Sequence, residues 1–238
     1  LIDALAPLLS AATPRLLDVG TGTGTLALEA VERWPAARVT GIDASSEMAS
    51  WADREAERRL AGGARSRFDT TVAFADRLPF QDATFDGAMS SFVLQLVPNR
   101  AAALREVRRV LRPGGPFAYV TWLRRGDDEA DPPDRIFDET LDEFGLDPPE
   151  PDAPERDPAS ARAAADGLRR AGFRAVRSWE ASLGHRWTPR SYVDFLEGFS
   201  EESLFDELVE RERRALRRRL LERLAGLAPD ELRFRYPI

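Results

Sequence analysis

Carboxylates and glycines recur where strands end in the first part of this chain. Leu16-Leu17-Asp18-Val19-Gly20-Thr21-Gly22-Thr23-Gly24-Thr25-Leu26 runs from an apolar strand through a glycine-rich turn into a helix. The helix is amphipathic, with Leu26, Ala27, Ala30, Val31 and Trp34 on one face. Glycine has no Cβ, so such a turn lets a ligand lie against bare backbone. The free amides of the helix start point at the same place. This is the geometry in which an open α/β sheet binds a nucleotide-type ligand, at the carboxyl end of its first parallel strand. Further acids follow the next two strands, Asp43 closing Arg38-Val39-Thr40-Gly41-Ile42-Asp43 and Asp76 after Thr71–Ala75.

Alternating strands and helices must position these residues. The spacing predicts a short helix over Leu5–Ala12 and strands over Arg15–Val19, Arg38–Asp43, Thr71–Ala75, Phe85–Ser91 and Phe117–Trp122. Pro35 stops the first helix after the glycine turn. A second helix spans Glu47–Leu60, with Met48, Ala52, Ala56 and Leu60 inward and Gly62-Gly63 closing it. Asn99 is the N-cap of the next, whose inward residues are Leu104, Val107, Val110 and Leu111. Asp157-Pro158 starts another, which ends at Gly172. A sixth strand over Arg174–Leu183, a helix over Tyr192–Phe199, a long helix over Glu202–Leu224 and a last strand over Leu232–Ile238 complete the expectation. The alternation reads as a doubly wound, mostly parallel α/β sheet.

Two cofactor types compete for the glycine turn. Gly22-x-Gly24-x-x-Ala27 with Asp43 downstream fits a loose dinucleotide fingerprint. Asp18-Val19-Gly20-Thr21-Gly22-Thr23-Gly24, however, resembles the Asp/Glu-x-Gly-x-Gly-x-Gly motif of class I S-adenosylmethionine-dependent methyltransferases. Gly41-Ile42-Asp43-Ala44-Ser45-Ser46-Glu47-Met48 resembles their second motif. Asp76-Arg77-Leu78-Pro79-Phe80 with Phe85-Asp86 resembles the adenine segment and the fourth-strand entry, and Leu111-Arg112-Pro113-Gly114-Gly115 the turn before the fifth strand. The ordered series covers about residues 15–122 and is closest in style to the small-molecule and quinone-biosynthesis branch.

The resemblance implies a Rossmann-like methyltransferase fold with S-adenosylmethionine as cofactor. It implies a binding set of Asp18, Gly20, Thr21, Gly22, Asp43, Ala44, Met48, Asp76, Arg77, Leu78 and Ser91. Asp18 helps place the cationic methionine end, and Asp43 accepts from the ribose hydroxyls. Asp76 accepts from the adenine amino group and the Arg77 amide donates to a ring nitrogen, while Met48 and Leu78 sandwich the ring. Ordinary core packing is the bland reading for Met48 and Leu78. Ser90, Ser91 and Phe92 close the fourth strand, where the resembled family holds the methyl near its acceptor. Many relatives carry His where Gln95 stands here, and an amide cannot act as a base, so no catalytic residue is assigned.

His185, the only histidine, reads either as a substrate-side base or, with more weight, as a surface residue. With no cysteine and no second histidine, no metal site is expected. Every other basic residue is arginine, which excludes lysine chemistry. A net charge of −7 argues against nucleic acid as the main partner. Arg211–Arg223 reads as a solvated face with i,i+4 ion pairs. No apolar run approaches the roughly 20 residues of a membrane span, and no signal peptide is visible, so the expectation is a cytoplasmic protein. The chain begins at Leu1 and reads as trimmed.

Residues 1–238 read as one methyltransferase domain with a cofactor-binding core at 15–122 and a helical and loop cap at 123–158 and 185–228. The segment Asp127–Asp157 is rich in proline and acids, with one apolar helix candidate (Ile136, Phe137, Leu141, Phe144). Phe137, Phe144, Trp187, Tyr192, Phe195 and Phe199 point equally to an apolar or aromatic acceptor and to a core of the cap's own. The function expected is methyl transfer from S-adenosylmethionine to a small-molecule acceptor. The alternatives are a non-catalytic cofactor-binding regulatory protein and an NAD(P)-dependent oxidoreductase.

Overall fold

Strand β1 (Arg15–Val19) is the middle of a five-stranded sheet in a computed structural model that describes residues 1–124, 131–147 and 157–238. The sheet order is β3-β2-β1-β4-β5, all pairs parallel, with β2 at Arg38–Asp43, β3 at Phe68–Val72, β4 at Gly87–Ser91 and β5 at Phe117–Val120. The chain winds outward from β1 to β3, then returns to β4 on the other side. The strand order therefore reverses beside β1, and such a switch point opens a crevice at the carboxyl strand ends. β1 is buried on both faces, as a strand covered by helices must be. Leu16 packs with α1 (Ile2–Leu5), α2 (Thr25–Arg33) and α3 (Ser46–Arg59), whereas Leu17 and Val19 pack with α4 (Arg100–Val110).

Several boundaries differ from the sequence expectation. The first helix is Ile2–Leu5, followed by a 3-10 turn at Ala6–Leu8 that accommodates Pro7. α3 ends at Arg59 with Leu60 extended, and Gly62 starts a 3-10 helix, Gly62–Arg67, instead of closing α3. β3 begins at Phe68, three residues early, because its buried Phe68 pairs with Val39 and its polar remainder hides the strand pattern. Phe85 makes only an isolated bridge to Leu111 ahead of β4. α4 is capped as expected, Asn99 Oδ1 accepting from the Ala102 amide at 3.0 Å. α6 (Ala161–Arg170) is capped by Ser160, whose hydroxyl accepts from Ala163 at 3.2 Å, so Asp157 is not its cap.

The chain divides into two compact units, Leu1–Trp122 with Arg156–Trp179, and Leu123–Glu155 with Glu180–Ile238. The first contains the sheet and α1 to α4 and α6. The second contains α5 (Pro132–Phe144), α7 (Pro189–Phe195), α8 (Glu202–Glu207) and α9 (Glu210–Leu224), around a core that includes Phe137, Tyr192, Phe205, Leu216 and Leu220. α7 runs on into a π-helical turn, Leu196–Ser200. The expected helix over Glu202–Leu224 is broken because Leu208 and Val209 are extended. The expected sixth strand of the main sheet is absent from it. Instead β6 (Ser182–Arg186) pairs antiparallel with β7 (Arg233–Pro237). Of the expected 127–157 loop, residues 127–130 and 148–156 lie outside the described residues; most of the described part forms α5.

Candidate cofactor site

The glycine turn is built by conformation first. Gly20, Gly22 and Gly24 have φ of 71°, 52° and 86°, a region that only glycine enters at low cost. At Gly20 space also excludes a side chain, since a Cβ would lie 2.3 Å from a Val93 methyl. At Gly22 a Cβ would meet no described atom within 4 Å, so the space on that side of the backbone is open to a ligand. The turn is stitched to the end of β2. Thr21 N–H donates to the Ile42 carbonyl at 2.7 Å, and Gly22 N–H donates to Asp43 Oδ2 at 2.8 Å. Gly41 leaves room for this approach, because a Cβ there would lie 2.7 Å from Thr21 Oγ1.

Asp18 lies at the heart of the site, 1% exposed, between Gly41 of β2 and Met89 of β4 in register. Its Oδ2 accepts from the Thr21 hydroxyl at 2.9 Å, while Oδ1 is buried and has no hydrogen-bond partner among the described residues. Burial pushes its pKa up to about 7; the Thr21 hydroxyl and the Ala27 amide pull it down, and the Asp43 charge adds to the rise. An unpartnered buried acceptor costs about 1–3 kcal/mol. A ligand that brings a cationic or donor group to Oδ1 would recover that cost. Asp43 is half-buried, with Oδ1 accepting from Ser45 N–H at 2.9 Å as well as Oδ2 from Gly22. A carboxylate accepts about four hydrogen bonds, so Asp43 keeps capacity for a diol after holding the turn.

The adenine-side expectations fare unevenly. Met48 faces out of α3, 42% exposed, instead of inward, while Leu78 is 4% exposed within the core around Val107 and Val110. The pair expected to sandwich a ring is therefore split between surface and core. The Arg77 amide is already engaged, donating to the Phe74 carbonyl at 3.1 Å. That closes a turn and leaves it no free donor for a ring nitrogen. Asp76 is half-buried in the same turn, and Ala44 is exposed beside Asp43. Two large aromatics nearby are exposed, Phe74 two residues beyond β3 at 59% and Trp51 on α3 at 55%.

The β4 end carries no ionisable base among Ser90, Ser91, Phe92 and Gln95. Ser90 is buried and donates to the Val19 carbonyl at 2.8 Å, and Ser91 is half-buried. Gln95 is buried and its Oε1 accepts from the Thr121 hydroxyl at 2.9 Å. Phe92 has a φ of 55° and stacks on Trp122 at 4.2 Å. In the second unit, Trp187 packs on Tyr192, Phe195 and Phe234, and Phe137 is buried with them. These aromatics thus form that unit's own core. Phe144 is 36% exposed, and the Phe199 side chain lies outside the description. His185 is exposed in β6, edge-on to Trp187 at 4.0 Å.

Comparison with known proteins agrees with this geometry. The family described as Methyltransferase domain matches residues 17–119. The ubiquinone/menaquinone biosynthesis C-methyltransferase UbiE of Geotalea daltonii is 39% identical over 102 residues, 42% of each chain. The malonyl-[acyl-carrier protein] O-methyltransferase of Geobacter sulfurreducens is 40% identical over 106 residues, 44% of this chain and 38% of that one. The chain thus spans less than half the length of either relative. The YcgJ protein from Bacillus subtilis shares the fold, with a TM-score of 0.64 at 18% identity over 98% of this chain and 92% of that one.

Proposed function

We propose that this chain, whose residues 17–119 are a class I methyltransferase domain, transfers a methyl group from S-adenosylmethionine to a small-molecule acceptor. The observation that carries the reading is the orphaned, buried Oδ1 of Asp18 beside three left-handed glycines, with Asp43 one strand away. S-adenosylmethionine bound there supplies an electrophilic sulfonium methyl. The residues fit it. Asp18 takes the cationic methionine end, Gly22 offers open backbone, Gly20 holds the turn close against Val93, Thr21 fixes the Asp18 rotamer, and Asp43 accepts from the ribose. Asp76 is the remaining candidate for the adenine amino group. Ala44, Met48 and Ser91 line the rim, and Leu78 acts through the core beneath it. The protein's share of catalysis is then placement and alignment of acceptor and methyl.

The two relatives, each aligned over less than half of this chain, are named for methylation at carbon and at oxygen. The aromatic residues of the second unit do not argue for an aromatic acceptor, because its own core uses most of them. A binding-only role is the second reading, favoured by Gln95 standing engaged and neutral at the β4 end.

Thermal shift with S-adenosylmethionine, S-adenosylhomocysteine, NAD and NADP tests the reading. A ligand at 100 times its Kd stabilises by about 2.7 kcal/mol, which moves Tm by several degrees. We expect shifts with the first two alone. A shift confined to a dinucleotide, or none at millimolar ligand, would overturn the assignment. Asp43→Asn, which keeps one acceptor for Gly22, should weaken binding less than Asp43→Ala, which frees both amides of the turn.

A further inference from the structure

At the amino ends of the same strands, the first unit carries a second cluster of opposite chemistry. A cavity of about 520 Å³ is lined by Thr13, Arg15, Arg38, Arg67, Arg112 and Asp86, together with Ala36. Four cations against one carboxylate is unusual here, because the chain as a whole carries a net charge of −7. Two of the four are accounted for. Arg67 Nη1 donates to the carbonyls of Val31, Trp34 and Ala37 at 2.9–3.1 Å and so closes the carboxyl end of α2. Arg112 pairs with Asp86 Oδ1, and Asp86 Oδ2 accepts from the Arg15 backbone amide at 2.8 Å. Both oxygens of the only carboxylate lining the cavity are thus engaged.

Arg15 and Arg38 remain. They are register partners that open β1 and β2, so their Cα atoms sit on strands about 4.8 Å apart. Among the described residues neither side chain has a carboxylate partner: Arg15 lies over the Phe85 ring at 5.7 Å, and Arg38 Nη1 donates to the Ser66 carbonyl at 3.3 Å. An anion within reach of both guanidiniums would be attracted by each. Guanidinium forks match phosphate oxygens in bidentate geometry. We propose that this cavity is a binding site for a phosphate-bearing small ligand, held by Arg15 and Arg38 with Arg112 at its side. It is separate from the cofactor site, since four strand residues at about 3.3 Å each lie between Arg15 and the glycine turn.

Calorimetric titration of the whole chain with inorganic phosphate and with pyrophosphate, at fixed ionic strength in sodium chloride, tests this. A saturable isotherm with either anion is the expected result. Phosphate sufficing identifies a single oxyanion, and pyrophosphate alone identifies a diphosphate. Arg15→Gln/Arg38→Gln should weaken binding about tenfold or more, while Arg105→Gln, on exposed α4 surface, should leave it unchanged. No saturable heat with either anion would overturn the proposal, as would equal affinity in the double variant or matching loss in Arg105→Gln. Should the double variant fail to fold, Arg15→Gln alone carries the comparison, and the wild-type isotherm stands without any variant.

Discussion

Asp18 combines two demands that pull in opposite directions. Its carboxyl is buried and pushed up to about 7 from an ordinary 3.8, chiefly by loss of water. The folded state therefore binds the proton more tightly than the unfolded chain does. Stability contributed by this group is present below about pH 4 and is lost as pH rises to about 7. At about 1.4 kcal/mol per unit, the loss is at most about 4 kcal/mol. Without ligand, wild-type Tm should fall across this window, and Asp18→Asn should flatten the fall; parallel curves would refute the account. A cationic ligand group at Oδ1 reverses the preference, since it favours the ionised form. Affinity for S-adenosylhomocysteine should thus rise between pH 6 and 8 in the wild type and not in Asp18→Asn. Asp18 and the glycines were legible because residue type and position carry their role directly. The Arg77 amide was not, because a turn to Phe74 consumes it and turns of that kind leave little trace in composition.

At the scale of elements, α4 does more than cover the sheet. Glu106 Oε2 accepts from Leu78 N–H at 2.9 Å, while Arg109 donates to the carbonyls of Leu78 and Phe80 at 3.0 and 2.7 Å. Arg109 also pairs with Asp82 and Glu106. The segment that follows Asp76 is therefore clamped to a helix capped by Asn99. Arg109→Ala should cost about 1–3 kcal/mol by leaving partly buried carbonyls unpaired. It should also raise the Kd for S-adenosylhomocysteine several-fold by loosening the segment next to Asp76. Chemical denaturation and calorimetry on that variant and on Arg105→Gln separate the effects; equal behaviour of the two variants would refute the clamp. The helix itself was legible from its 3.6-residue period and its cap. β3 was displaced by three residues because Phe68-Asp69-Thr70-Thr71-Val72 shows no alternation that single-chain reading can use, and its place is set by pairing with Val39 to Asp43.

Across the whole molecule, the alternation of the first unit predicts its parallel sheet, but the second unit resists reading. β6 and β7 pair across about fifty residues of chain, and every β6 residue is exposed, so no apolar period marks the strand. The basic stretch Arg211–Arg223 was expected to pair along its own helix. Arg214–Glu210 and Arg219–Glu222 do so, but Arg217 reaches Asp194 and Glu197 of α7 and its following turn, Arg219 also reaches Glu143 of α5, and Arg223 reaches Glu139 and Glu143. These pairs are numerous yet mostly solvent-exposed, and exposed pairs contribute about 0.2–1 kcal/mol each. Leu220 on the same helix is fully buried, where truncation to alanine costs about 2–5 kcal/mol. Burial, not the ionic lattice, should therefore hold α9 in place. Leu220→Ala should lower the urea midpoint read by circular dichroism more than Arg219→Gln/Arg223→Gln does, and 1 M sodium chloride should not reproduce its effect. A double arginine variant that unfolds first would mean that the cross-helix pairs act as a coupled network, with α9 positioned by charge before it is secured by its apolar face.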